Sequence, residues 1–277
     1  MGHNVLVNGT NYSIKGGNTL VNGTGYKVSG GGVLINGTRK NIAFGTPLNN
    51  LSVGSSVYMN VSGVRTEFLI VHKGNPDSSI YDSSCDGIWL LSKKCHSASA
   101  WGSNNYSVLQ YADSYIPSYL NNILSQFDIN IQNIIKQIKI PYQVGIGAIQ
   151  TLTNGLSTKL FILNRKEIGF ADVAGGGGIN GGAKLSYFDL ANLDSNKRYC
   201  EPVTESMIDG SVVLQNSYWI RTTYYDDSYL NPYYVYSNSS YNGLLGSGRE
   251  QRYLRGVRYS LILPYSITVD DNMNIIT

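Results

Sequence analysis

Charge is scarce in this chain. Of 277 residues only 14% are Asp, Glu, Lys or Arg, well under the roughly 25% usual for a soluble domain. That excludes a coiled coil, a long charged helix bundle and a charge-rich disordered protein. The net charge of +3 is small and spread out, and no Lys occurs after Lys197. From Thr222 to Gly248 the only charges are Asp226 and Asp227. They have the wrong sign for phosphate, so no nucleic-acid partner is expected. No apolar run approaches the 18 or more residues of a membrane-spanning helix, and no membrane insertion is expected. Three cysteines, Cys85, Cys95 and Cys200, are too few for a complete disulfide framework and read as mostly reduced. Met1-Gly-His-Asn4 lacks the basic segment and apolar run of a secretory signal, which points to synthesis in a bacterial cytoplasm.

What the chain has instead is neutral polarity: 31 Gly, 22 Tyr and 28 Asn. Such a mixture suits short strands, Gly/Asn turns and many neutral hydrogen-bonding groups. The first 45 residues are three tandem 14-residue units, Asn4–Gly17, Asn18–Gly31 and Gly32–Gly45. Leu6, Leu20 and Leu34 coincide, as do the Asn-Gly-Thr triplets beginning at Asn8, Asn22 and Asn36. Asn-Gly favours the positive φ angles of a tight hairpin, so each unit reads as two very short strands and the whole as a small meander. A sheet so thin cannot bury its own Leu, Val and Ile. Residues 1–45 are therefore expected to be an assembly or attachment module that hides this face against other copies, with a repetitive linker as the alternative. The Asn-Gly-Thr triplets also fit a glycosylation pattern, but turn chemistry explains them better without a secretory signal.

Residues 46–277 read as one domain. Val57–Val61 and Val64–His72 are strand-like around an Asn60–Gly63 turn, and Ile88–Ser92 is a short buried strand. Ile116, Tyr119, Leu120, Ile123 and Leu124 carry a helical stripe, with Pro117 suited to the first turn. Asp128 stands where it can cap a second helix bearing Ile131, Ile134 and Ile135. Ile138–Tyr142, Leu160–Leu163 and Val257–Leu263 return to strand character. The fold class is α+β: antiparallel strands, two helices packed on them, and long loops.

No catalytic constellation emerges. Cys85-x9-Cys95-His96 matches no tight zinc spacing, and neither Cys200, His3 nor His72 completes a set. The glycines of 175–182 lack the Lys-Ser/Thr and the strand–loop–helix context of a phosphate cradle. Asp226-Asp227 and Asp270-Asp271 fit no calcium loop and read as solvated turns. No metal, no cofactor and no enzymatic activity are expected.

The 42 residues Tyr218–Tyr259 hold ten of the 22 tyrosines, where proportional sharing would place about three. Tyr offers rigid contact area with a polar tip, while Ser, Asn and Gly supply adaptable hydrogen bonds, as in an antibody combining site. The candidate ligand-binding residues are Tyr224, Tyr225, Asp226, Asp227, Tyr229, Asn231, Tyr233, Tyr234, Tyr236, Asn238, Tyr241, Asn242, Arg249 and Tyr253. No period of 2 or 3.6 persists here, so binding by Tyr-rich loops on a scaffold is expected.

The opening repeats, the segment Tyr58–Val71 (YMNVSGVRTEFLIV), Trp219-Ile-Arg221 and Gly256-Val-Arg258 resemble tail-associated proteins of phages and prophages of gut Firmicutes. The Tyr/Asn/Ser/Asp mixture between the last two motifs is similar to the variable region of proteins diversified by retroelements. The resemblance implies a C-type-lectin-like domain related to formylglycine-generating enzymes. Tyr224–Tyr253 would be its variable surface, and Trp219, Arg221, Val257 and Arg258 its framework. It further implies a homotrimer in the phage tail of the virion, a bacterial surface protein or glycan as ligand, and contact with other tail proteins through the repeats. None of the three cysteines lies in the Tyr-rich stretch, so the formylglycine-generating activity does not carry over. A tail-associated cell-wall-degrading enzyme and a purely structural tail or baseplate protein are the alternatives.

Overall fold

The computed structural model describes residues 3–7, 10–14, 18–21, 24–27, 31–35, 38–42, 45–103, 109–144, 148–171, 181–189, 195–200, 217–226, 229–237, 243–247 and 251–276. Side chains are described from residue 45 onward, except those of 225, 226, 229 and 247. In the repeats, Val7 pairs with Thr10, Val21 with Thr24 and Ile35 with Thr38, so each unit is an antiparallel strand pair flanking its Asn-Gly. Among the described residues the three pairs are separate two-stranded ladders, not the continuous meander expected.

Beyond the repeats, the chain is mixed α+β, with mostly strands and two α-helices among the described residues. The first sheet contains β1 (Ser56–Val61), β2 (Val64–Lys73), β3 (Ile88–Ser92), a short strand Phe161–Ile162 and the later strand Tyr259–Leu263. Its order is Phe161–Ile162, Tyr259–Leu263, β3, β2, β1, with every pairing antiparallel. The β1–β2 connection is Ser62-Gly63, both at positive φ (51° and 75°), as a two-residue hairpin of the primed type requires. IWLLS and YSLIL are central strands buried on both faces, which is why neither alternates.

Helix α1 (Tyr115–Leu124) buries Ile116, Leu120 and Ile123, and the Ser114 hydroxyl caps it by accepting from Ile116 N at 3.3 Å. Helix α2 (Ile129–Ile134) starts after Asp128, but the Asp128 side chain makes no capping bond. Thr46–Pro47 pairs with Thr268–Val269, which pairs with Ile275–Ile276, so the two ends of this part of the chain are joined. Among the described residues no helix is long and apolar enough to cross a membrane.

A second sheet carries the Tyr-rich stretch. It contains β4 (Ala98–Ser99), β5 (Ser217–Asp226), β6 (Tyr229–Tyr236), β7 (Leu245–Ser247) and β8 (Arg255–Gly256), in the order β4-β8-β5-β6-β7. The expectation of loops is corrected here: Tyr224, Tyr225, Asp226, Tyr229, Asn231, Tyr233, Tyr234 and Tyr236 lie on two paired strands. Tyr is a good strand former when its ring packs across the ladder. A register shift between Trp219 and Thr223 breaks the alternation, and with it the period-2 signal that would have marked strands.

Candidate functional site

The Tyr-rich hairpin grows out of a buried base. Trp219 is 1% exposed, its indole N–H donates to Ser99 O at 2.8 Å, and its ring meets Trp101 at 5.7 Å and Tyr234 at 6.1 Å between centroids. Arg221 and Glu167 form a fully buried ion pair, with side chains 1% and 0% exposed. Arg221 Nη1 donates to Glu167 Oε2 at 2.7 Å and to Ile162 O at 2.7 Å, Nη2 donates to Glu167 Oε1, and Nε donates to Pro141 O at 3.1 Å. The carboxylate also accepts from Tyr81 Oη at 2.6 Å and from Asn164 N at 2.8 Å. A buried pair supported on both sides in this way meets the condition under which burial is tolerated. Burial opposes the charge on Arg221, but Glu167 outweighs it and holds the guanidinium above its ordinary value. Tyr81 is raised well above its own, by burial first and Glu167 second.

The second motif works similarly. Val257 is buried, and Arg258 donates from Nε to Ser92 O at 2.9 Å and from Nη1 to Arg198 O at 3.2 Å. Tyr218 Oη reaches the same Arg198 carbonyl at 2.7 Å, and burial pushes that phenol up to about 12. Arg198 in turn donates from Nε to Ile168 O at 2.9 Å and lies over Phe170.

On this base the sequence-predicted residues divide. Tyr234 is 7% exposed, with Arg255 stacked 3.4 Å over its ring, and its hydroxyl lies 3.0 Å from that of the half-buried Tyr236. Asn231 is fully buried, and neither its amide oxygen nor its nitrogen has a hydrogen-bond partner among the described residues. Tyr224 and Tyr233 are half-buried, with ring centroids 5.1 Å apart, and the Arg165 guanidinium lies 5.5 Å from the Tyr233 ring. Tyr253 is exposed. Tyr225, Asp226 and Tyr229 are placed on their strands by the backbone alone, and Asp227, Asn238, Tyr241, Asn242 and Arg249 lie outside the described residues. So do most of the glycines of 175–182.

Glu167, Tyr81, Arg165 and Arg198 escaped the sequence reading. Glu167 stands 54 residues from Arg221, and no local pattern signals such a pairing. Among the described residues no three His, Cys, Asp or Glu side chains converge as metal ligands. Asp270 is a turn residue, accepting from the backbone N–H groups of Asn272 and Asn274. Cys85 is buried, its thiol donating to Lys139 O at 3.3 Å and pushed up to about 12 by burial.

A family model described as Domain of unknown function (DUF6273) matches residues 86–265, which include both buried motifs and the hairpin between them. No curated protein and no solved structure matches the chain.

Proposed function

The chain belongs to that family, and from this premise we propose that it is a non-enzymatic receptor-binding protein of a phage tail. On this reading the domain is C-type-lectin-like. Its Tyr/Asn/Ser-rich hairpin, diversified by a retroelement, recognises a bacterial surface protein or glycan. The observation that carries the reading is the contrast within the stretch from Tyr218 to Tyr259. Trp219, Arg221, Val257 and Arg258 are buried and bonded to backbone carbonyls or packed, whereas Tyr224, Tyr233, Tyr236 and Tyr253 keep part of their surface in solvent. A fixed base under partly exposed aromatic faces is how a scaffold presents a binding surface.

A homotrimer assembled through residues 1–45 would raise a modest single-site affinity by about 10²–10⁴ where the sites engage together. The test is adsorption to host cells by the full chain and by the Tyr224→Ala/Tyr233→Ala/Tyr253→Ala variant, with circular dichroism to verify the fold. Loss of adsorption by a folded variant supports the reading, and undiminished adsorption overturns it. Sequencing the gene across a phage population tests the diversification: substitutions confined to codons between about 219 and 258 are expected.

A further inference from the structure

The strongest feature outside the hairpin surface lies at its base. Cys95 Sγ and Cys200 Sγ are 3.0 Å apart and not covalently bonded, about 1 Å beyond the roughly 2.05 Å of a disulfide. Cys200 is 0% exposed. Cys95 is half-buried and lines a cavity of about 480 Å³ with Tyr58, Arg65, Lys94, His96 and Tyr259. The pair therefore has one residue in the wall of a cavity and one that is fully buried. Arg65 and Lys94 are cationic, the one carboxylate of the lining, Glu67, is paired with Lys93 at 2.9 Å, and the buried Tyr259 hydroxyl has no hydrogen-bond partner among the described residues. Arg65 and Lys94 can meet the carboxylates of a small-molecule disulfide of the glutathione type.

We propose that Cys95 and Cys200 are the site of a reversible intramolecular disulfide, formed by exchange with such a small-molecule disulfide entering the cavity beside Cys95. The Cys95 thiolate attacks one sulfur of glutathione disulfide, the S–S bond breaks, and one glutathione leaves and takes up a proton. The Cys200 thiolate then displaces the second glutathione from Cys95. Two protein thiols are oxidised by two electrons, one glutathione disulfide is reduced to two thiols, and the two protons pass to them. Burial, then the adjacent Cys200, hold the Cys95 thiol well above its ordinary value, with Arg258 acting the other way, so the exchange is slow at neutral pH.

The position gives the bond a consequence independent of any ligand on the hairpin. Cys200 precedes β5 in the chain, and Gly256, at the other end of the Tyr-rich stretch, packs so closely on Cys95 that a Cβ there would lie 2.7 Å from its Sγ. The disulfide thus joins the chain just ahead of the hairpin to the residue against which its far end is packed. Closing so long a loop raises the melting temperature, by on the order of 5–10 °C.

The experiment incubates the full chain with glutathione disulfide or with dithiothreitol, alkylates it after unfolding, and counts and maps the thiols by mass spectrometry. One alkylated cysteine, Cys85, and a peptide pair linked through Cys95 and Cys200 are expected after oxidation, with three alkylated cysteines after reduction. Cys85→Ser should form the same link. Cys200→Ser should trap one glutathione on Cys95, and Cys95→Ser should trap none. Three free thiols in the oxidised wild type, a link through Cys85, or a link between two chains overturns the proposal. The wild-type map decides the matter even where a serine variant fails to fold.

Discussion

Arg221 is a side chain whose removal should be felt throughout the domain. Its guanidinium satisfies Glu167 and two backbone carbonyls in a fully buried place, so truncating it strands a carboxylate at 0% exposure. Arg221→Met is expected to lower stability by about 3–5 kcal/mol, because an uncompensated buried charge costs more than the pair itself contributes. Urea denaturation measures this. Replacing both partners, as Glu167→Leu/Arg221→Met, should recover a large part of the loss, and a double variant no better than the single one would refute the account. Asn231 is the opposite case, buried with an amide that has no hydrogen-bond partner among the described residues. Leaving such a group unmatched would cost about 1–3 kcal/mol.

At the scale of elements, the two helices were legible for the same reason and differ in how they are held. The stripe Ile116, Leu120, Ile123 is buried where its spacing says it should be. Ser114 and Asp128 occupy equivalent positions ahead of their helices, yet only Ser114 has a side-chain capping bond, and its hydroxyl also donates to Tyr111 O at 2.8 Å. Ser114→Ala should therefore cost about 1 kcal/mol, whereas Asp128→Ala should cost clearly less. Equal losses in thermal or urea unfolding would show the cap assignment to be wrong. The hairpin β5–β6 was the element hidden from the sequence. Tyr, Asn and Ser occupy both faces of its strands, and the register shift after Trp219 interrupts the alternation that an apolar face would have displayed.

For the whole molecule, acid should be destabilising in a range set by histidine. Burial holds both His72 and His96 below their ordinary value of 6.5, with Glu167 acting the other way on His72 and Gln126 on His96. His72 Nδ1 accepts from Ser186 N at 3.2 Å, which requires that nitrogen to be unprotonated. Above 6.5 both rings are neutral whether the chain is folded or not, and their contribution is complete. As pH falls past 6.5 the unfolded chain takes up protons first, so stability declines until pH has passed through the lower folded-state values. Melting temperatures measured from pH 8 to 5 should fall below about 6.5, and His72→Gln/His96→Gln should flatten that part of the curve. A wild-type profile flat across this range would contradict the burial of the two rings.

The sequence by itself determined the parts that depend on neighbours along the chain. These are a turn within Asn60–Gly63, which the structure narrows to Ser62-Gly63, the buried runs IWLLS and YSLIL, the helix stripe, and the concentration of tyrosine between the Trp219-Ile-Arg221 and Gly256-Val-Arg258 motifs. Each rests on local conformational preference or on a repeating period, and both are properties of contiguous residues. Only the tertiary structure decided which tyrosines of that stretch are interior, as Tyr218 and Tyr234 are, and which keep a face in solvent. It alone brought Glu167 to Arg221 and Cys95 to Cys200, the latter pair 105 residues apart. Contacts of that range are made by the packing of segments far apart in the chain, and no local pattern of residues encodes them.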